Sequence, residues 1–160
     1  MAKTLISTGS VCQNRKARFR YTVLETVEAG IILTGAEVKS LRAGRADISQ
    51  AYAAEKDGKL CLINAEILDY TSSSRIVHHI VGRPRPLLLH KKEQTRLLSS
   101  VAQKGTTLVP LEIYFNNRGL AKVKLGLAQG KNLKDKRETM KQRDWDKQKR
   151  RILTAYNKHA

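Results

Sequence analysis

The nearest approach to a reaction motif in this chain is Gly126-Leu-Ala-Gln-Gly130-Lys131, and it falls short. A phosphate-gripping loop spaces its glycines one residue further apart and needs Ser or Thr after the lysine to hold Mg²⁺. Asn132 occupies that place, and the segment follows a barrel-like strand, not a parallel one. A flexible hinge between strand and tail is the simpler reading. His78 and His79 are adjacent, so in a strand they point to opposite faces and cannot share a substrate. One is expected to be buried and the other to face solvent. No nucleophile, base and orienting group can be assembled from neighbouring residues. Cys12 and Cys61 lie far apart, with no CxxC pair and no His at metal spacing. They read as buried or inert thiols in a reducing cytoplasm, with no metal expected. The chain reads as a binder without enzymatic activity or cofactor.

What it binds follows from charge. The formal net charge is +17 over 160 residues, and the sequence pI is near 10.2. Residues 129–160 alone carry 11 Lys+Arg against 4 Asp+Glu. A charge excess this concentrated repels itself unless a polyanion answers it. Nucleic acid is the first candidate and an anionic membrane surface the second. No apolar run is long enough to span a bilayer, and Met1 to Gly9 lacks the apolar stretch of a secretory signal. A membrane-surface helix needs a broader apolar face than this tail offers, so no membrane partner is expected. From Asn14 to Tyr21, basic and apolar residues alternate. In a strand, Lys16, Arg18 and Arg20 would form a phosphate-facing side, with Ala17, Phe19 and Tyr21 opposite. The plain alternative is a solvated strand with a core-facing aromatic edge. Asn14 could read a base edge or a sugar. Glu28 and Glu37 are explained by turn and cap roles, yet a carboxylate can also accept from a base amino group.

The elements that must position these residues are mainly strands. Residues 1–13 are small and polar and read as flexible. Ala17–Thr26 is aromatic and β-branched, Glu28-Ala29-Gly30 supplies a turn, and Ile31-Ile32-Leu33 begins a buried strand. Thr34 with Glu37 three residues on predicts a capped helix ended by Gly44. Ile48–Ala54 and Lys59–Leu68 flank Asp57-Gly58, a two-residue hairpin turn. Arg75–Val81 reads as extended, and Pro84 and Pro86 break any regular element there. His90–Lys104 has helical spacing and stops at Gly105. Thr106–Phe115 and Leu120–Leu127 are the last strands. Val109, Leu111, Ile113 and Phe115 alternate with Pro110, Glu112 and Tyr114, one face in and one out. Pro110 cannot donate to a ladder, so it belongs at an edge or a bulge. Antiparallel strands with two short helices suggest a small closed barrel of the OB type, a body for oligonucleotides. An open α+β sandwich fits the same pattern.

From Lys136 to Asn157 there is no Gly or Pro, and helix formers dominate. At about 100° per residue, Trp145, Ile152 and Tyr156 share one narrow stripe, with Leu153 beside it. So few apolar residues cannot hold such a helix to a body against its ordering entropy. The tail is therefore expected to be unfolded when free and helical against an anionic surface, about 33 Å long. Trp145 either stacks on a base, worth roughly 1–3 kcal/mol, or folds back on the barrel.

Several blocks together resemble the SmpB family, the SsrA-binding proteins that work with transfer-messenger RNA. They are Asn14-Arg15-Lys16-Ala17; Glu28-Ala29-Gly30, then Leu33 through Glu37-Val38-Lys39-Ser40-Leu41-Arg42; Arg85 with Leu87-Leu88-Leu89; Val123-Lys124-Leu125-Gly126-Leu127; and Gly130-Lys131 through Asp135-Lys136-Arg137 to Trp145. The resemblance implies a mainly β, OB-fold antiparallel barrel with two or three short helices, and no enzymatic activity. It implies residues 1–13 as a flexible segment, 14–128 as an RNA-binding body and 129–160 as a basic tail, helical when bound. The body would bind the tRNA-like domain of transfer-messenger RNA and enter the A site of stalled ribosomes. There the tail would lie in the empty mRNA channel beside the small-subunit decoding centre, and the nascent chain would be tagged. Elongation factor Tu would be met through the RNA, in the cytoplasm. Carried over by motif, Asn14, Arg15, Lys16, Arg18, Glu28, Lys39, Leu87 and Lys124 face RNA. By the same resemblance Gly130 would be the hinge, and Lys131, Lys134, Asp135, Lys136, Arg137, Trp145, Arg150 and Arg151 would engage the ribosome. Lys134 stands where many members have Tyr or His, so the stacking contact the family implies there is lost, and a phosphate contact could replace it. Asn132 and Pro86 replace usual basic residues, which weakens phosphate contacts at both. A general OB-type binder of structured or single-stranded RNA is the alternative reading.

Overall fold

The sheet closes on itself. The structure, a computed structural model, describes residues 5–69, 81–103 and 105–158. One antiparallel sheet contains β1 (Gly9–Gln13), β2 (Tyr21–Ile31), β4 (Tyr52–Lys56), β5 (Lys59–Ile63), β7 (Arg85–Leu88), β8 (Thr106–Phe115) and β9 (Ala121–Gly130). The order β8-β4-β5-β7-β2-β9 returns to β8, so six strands form a ring and β1 is appended to β8. The barrel expected from the pattern is present, not the open sandwich. Closure leaves few unpaired edges for another chain to extend. β3 (Ala46–Asp47) and β6 (Glu66–Ile67) pair separately.

Local chemistry explains the corners. Thr34 and Glu37 make the reciprocal cap of α2 (Gly35–Arg42): Thr34 Oγ1 accepts from Glu37 N–H, and Glu37 accepts from Thr34 N–H. Gly44, at φ 71°, follows the helix in the left-handed conformation that glycine tolerates. Asp57 and Gly58 both adopt positive φ, 52° and 73°, turning β4 into β5 as a two-residue hairpin. α3 (Lys91–Val101) caps the barrel through buried Leu97. The interior is filled by Leu41, Leu60, Leu62, Leu108, Ile113 and Leu125, each wholly buried and each contributing about 1.5–3 kcal/mol.

The structure departs from the sequence reading in several places. Gly9–Gln13, read as flexible, is a strand paired with β8. Ala17–Arg20, read as the start of a strand, is a helical turn, α1. Lys16, Arg18 and Arg20 therefore do not line one strand face. Lys59–Leu68 breaks at Asn64, whose φ of 57° ends β5. Pro86, expected to break regular structure, lies within β7, where its carbonyl accepts from Ile32 N–H. The β8 alternation also shifts. A bulge between Pro110 and Glu112 flips the parity, so Leu108, Ile113 and Phe115 enter the barrel core. Val109 and Leu111 instead pack outside it, with Ala17 and Ala128. Strand pairing continues through Gln129 and Gly130, which face Thr22 and Tyr21, two residues past the expected end of the body. The expected extension over Arg75–Val81 and the placement of His78 and His79 fall on or run into residues outside those described.

Candidate nucleic-acid interface

β2, β9 and β8 lie side by side, and a two-residue period sorts their side chains. Val123, Leu125 and Ile113 point into the core; Glu28, Lys122, Lys124, Glu112 and Tyr114 point outward. Glu28 opposes Lys124, and Lys124 opposes Glu112, so a charged row crosses three strands. Lys122 Nζ lies 3.8 Å from Glu28 Oε1, Lys124 Nζ lies 3.7 Å from Glu112 Oε2, and the Tyr114 hydroxyl donates to Glu28. Exposed pairs of this kind contribute about 0–1 kcal/mol each, so a ligand can replace them at little cost.

Leu88 extends this row on the β7 side. It is 59% exposed, while Leu87, the neighbour named from the sequence, is 5% exposed and sits in the core. Period-two alternation decides which leucine faces out, and Leu87 has almost no side-chain surface to offer an RNA. Gly30 lies under Leu88: a Cβ there would come 3.2 Å from the Leu88 Cβ. A groove of about 470 Å³ is lined by Glu28, Leu88, His90, Glu93 and Lys122. Leu88 and Lys122 thus line the groove on this face, where the motifs point to Leu87 and Lys124. The signal was present in the alternation, since each stands one strand step from the residue that motif reading weighted or packs beside it.

Asn14 is not free to read a base. It is buried, its Nδ2 donates to Ile48 O at 3.2 Å and Pro110 O at 3.1 Å, and its Oδ1 accepts from Ala17 N–H at 3.1 Å. β1 and β4 occupy the same edge of β8, with Pro110 between them. Asn14 fills that gap and holds the turn that leads into α1, and Arg15 and Lys16 of that turn and Arg18 of the helix are exposed. Lys39 is exposed on α2, which packs beside β6. Glu37, by contrast, is wholly buried and bridges Arg83 (2.7 Å) and Arg85 (2.9 Å) as well as capping α2. Burial opposes its ionisation, but hydrogen bonds from Arg83 and the Thr34 amide, with both guanidinium charges, hold its pKa down at about 2. The cluster fixes the segment that leads into β7 and Leu88.

Gly126 lies inside β9, where a Cβ would meet Leu111 and Val23 at 3.2 Å. It is a packing glycine, neither part of a phosphate loop nor a hinge. Gly130 is the last strand residue; its Cβ position faces open space. After Lys131 and Asn132 comes α4 (Leu133–Lys158). The tail, expected to be unfolded when free and helical only against an anionic surface, is a helix, and it begins three residues before Lys136. Lys134, Asp135, Arg137, Arg150 and Arg151 are exposed, and Lys136 is partly so. Trp145 is 64% exposed, Ile152 69% and Tyr156 76%, so Trp145 does not fold back on the barrel. Near its start α4 touches α1. Lys131 N–H donates to Arg20 O, Lys131 Nζ donates to Arg18 O at 3.0 Å, and the Arg143 guanidinium stands 5.4 Å from the Phe19 ring centre.

Among the described residues no group of three or more His, Cys, Asp and Glu is placed to hold a metal, and no helix is long and apolar enough to cross a membrane. Burial pushes the Cys12 thiol up to about 11, which keeps it protonated and unreactive.

Comparison with known proteins agrees with this architecture. Residues 11–155 match the family described as SmpB protein. An SsrA-binding protein of Rhodospirillum rubrum is 51% identical over 150 residues, covering 94% of each chain. Another, from Rhodopseudomonas palustris, is 52% identical over 145 residues, 91% of this chain and 92% of that one. A chain in the solved structure "tmRNA-SmpB: a journey to the center of the bacterial ribosome" superposes with a TM-score of 0.65 at 53% identity, over 79% of this chain and 86% of its own.

Proposed function

This chain belongs to the SmpB protein family, and from that premise we propose that it is an RNA-binding adaptor of trans-translation. It binds the tRNA-like domain of transfer-messenger RNA and brings it to the A site of stalled ribosomes. The observation that carries this reading is the extent of the match: body and tail together, 94% of the chain, align with a protein named for binding SsrA.

The geometry supports a division of labour. The body, through Gly130, offers an apolar platform at Leu88, a carboxylate acceptor at Glu28 and cations at Lys122 and Lys124. A platform of this kind takes an unstacked base or ribose, the acceptor discriminates, and the lysines take phosphates. The tail from Lys131 offers a helix with Lys and Arg on most faces and the Trp145–Ile152–Tyr156 stripe on one. It suits a narrow RNA-walled passage such as an empty mRNA channel, with Asp135, Lys136 and Arg137 at its mouth. The small-subunit decoding centre and, through the RNA, elongation factor Tu are the further partners, and the cytoplasm is the place of work. Helix order in the tail is held by little besides its own backbone, so RNA contact should deepen it.

The test is competitive binding of the tRNA-like domain against an unrelated hairpin, combined with peptide tagging on stalled ribosomes. Glu28→Gln should weaken binding of the tRNA-like domain several-fold with the fold intact. Trp145→Ala should leave that binding unchanged and abolish tagging. Equal affinity for both RNAs in the parent protein would favour a general OB-type RNA binder instead.

A further inference from the structure

A second cleft lies on the tail side of the charged row. It measures about 320 Å³ and is lined by Arg15 and Arg18 at the α1 corner (Arg15 in the turn just before the helix), Glu112 and Lys124 of the sheet, and Arg143 of α4. Four cations from three separate elements thus converge on one cavity. The only carboxylate among them, Glu112, already answers Lys124 at 3.7 Å. Arg143 is held there by the Phe19 ring, and the tail's first turn by Lys131 on the Arg18 carbonyl. Cations gathered without matching carboxylates repel one another unless an anion joins them.

We propose that this cleft is a phosphate site shared by body and tail. It takes one backbone phosphate of an RNA, and filling it fixes the direction in which α4 leaves the barrel. The ligand class follows from the surroundings. The cleft borders the Glu28–Lys124–Glu112 row, so an RNA lying across that row reaches it without a break, and guanidinium groups suit phosphate oxygens. The inference rests on the adaptor reading and assigns Arg143 a task outside the simple division between body and tail. The phosphate belongs either to the tRNA-like domain or to ribosomal RNA, and the two are separable by experiment.

The experiment uses the full chain. Dissociation constants for the isolated tRNA-like domain and for small ribosomal subunits are measured across a salt series, for the parent protein, Arg143→Ala, Arg15→Ala and the double variant. Arg143 is exposed, so its variant should fold normally; an unchanged circular dichroism spectrum checks this. For the RNA that supplies the phosphate, Arg143→Ala should lower affinity about 3–10-fold and reduce the salt slope by about one unit. The double variant should lose less than the product of the two single losses, because both side chains address one phosphate. Loss on the tRNA-like domain names that source, and loss only on the small subunit names the other. An Arg143→Ala protein that matches the parent on both RNAs overturns the shared site, as do strictly multiplicative losses. If the parent protein binds neither RNA above an unrelated hairpin, the adaptor reading itself has failed.

Discussion

Glu37→Gln separates the charge of the buried cluster from its hydrogen bonds. A glutamine at this third helical position can still accept from the Thr34 N–H, so the cap of α2 survives. What disappears is the negative charge between Arg83 and Arg85. The Arg85 side chain is wholly buried, and its guanidinium also donates to Ala65 O at 2.7 Å and Val81 O at 2.8 Å, so it cannot turn to water. A buried guanidinium stripped of its counter-ion costs about 3–5 kcal/mol. The depressed pKa of Glu37 leads to a similar figure. Its pKa falls from 4.5 to about 2 on folding, a gap worth about 3 kcal/mol. Because the folded value is the lower one, this stability is fully present above pH 4.5 and drains away as pH falls toward 2. Urea unfolding followed by far-UV circular dichroism reads both effects; Trp145 emission does not, because that residue lies in the tail. With a slope of about 2 kcal/mol/M, the variant's midpoint at pH 7 should fall by roughly 1.5–2.5 M. Its further decline in acid should be shallower than the parent's, since this carboxylate no longer titrates. The paired change Glu37→Leu with Arg85→Met should recover much of the loss, because removing both buried charges is far cheaper than removing one. A Glu37→Gln midpoint within about 0.3 M of the parent, with the same acid dependence, would refute the reasoning. The consequence for binding is direct: the cluster anchors the approach to β7, so loosening it should also weaken the Leu88 groove.

Leu87→Ala should cost about 2–4 kcal/mol in urea titrations, whereas Leu88→Ala should leave stability within about 0.5 kcal/mol and weaken binding of the tRNA-like domain; the reverse pattern would place the wrong leucine on the surface. Asn14→Ala leaves the Ile48 and Pro110 carbonyls without their side-chain donor and removes the side-chain acceptor of the Ala17 N–H. A cost of about 2–4 kcal/mol is expected, read as a fall in Tm of roughly 5–15 °C. Gly126→Ala forces Leu111 and Val23 apart and should cost about 1–3 kcal/mol by the same thermal assay. Trp145→Ala should leave the urea midpoint of the body unchanged, because Trp145 is 64% exposed on α4.

The sequence by itself determined the features written in local chemistry. Asp57-Gly58 marked a tight hairpin turn and Thr34 with Glu37 a helix cap, and both are present; the Gly- and Pro-free stretch from Lys136 showed helix-forming residues, while its few apolar side chains pointed to an unfolded free tail, which the structure does not bear out. Charge identified a polyanion partner, and the ordered motif blocks identified the family. What it could not determine depended on register and long-range pairing. One extra residue near Leu111 sends Val109 and Leu111 out of the barrel, because a strand's two-residue period inverts with every bulge. The same period buries Leu87 and exposes Leu88, and it sets Lys122 beside Glu28. Asn14 looks like a reader of bases until the Ile48 and Pro110 carbonyls and the Ala17 N–H, remote in sequence or across a turn, take up its side-chain amide. Glu37 is a cap by sequence, but only the closed barrel brings Arg83 and Arg85 to it across more than forty residues of chain. Local propensity acts over a few residues and is legible in order; ring closure joins residues remote in sequence, and only the folded chain decides which side chains it leaves in water.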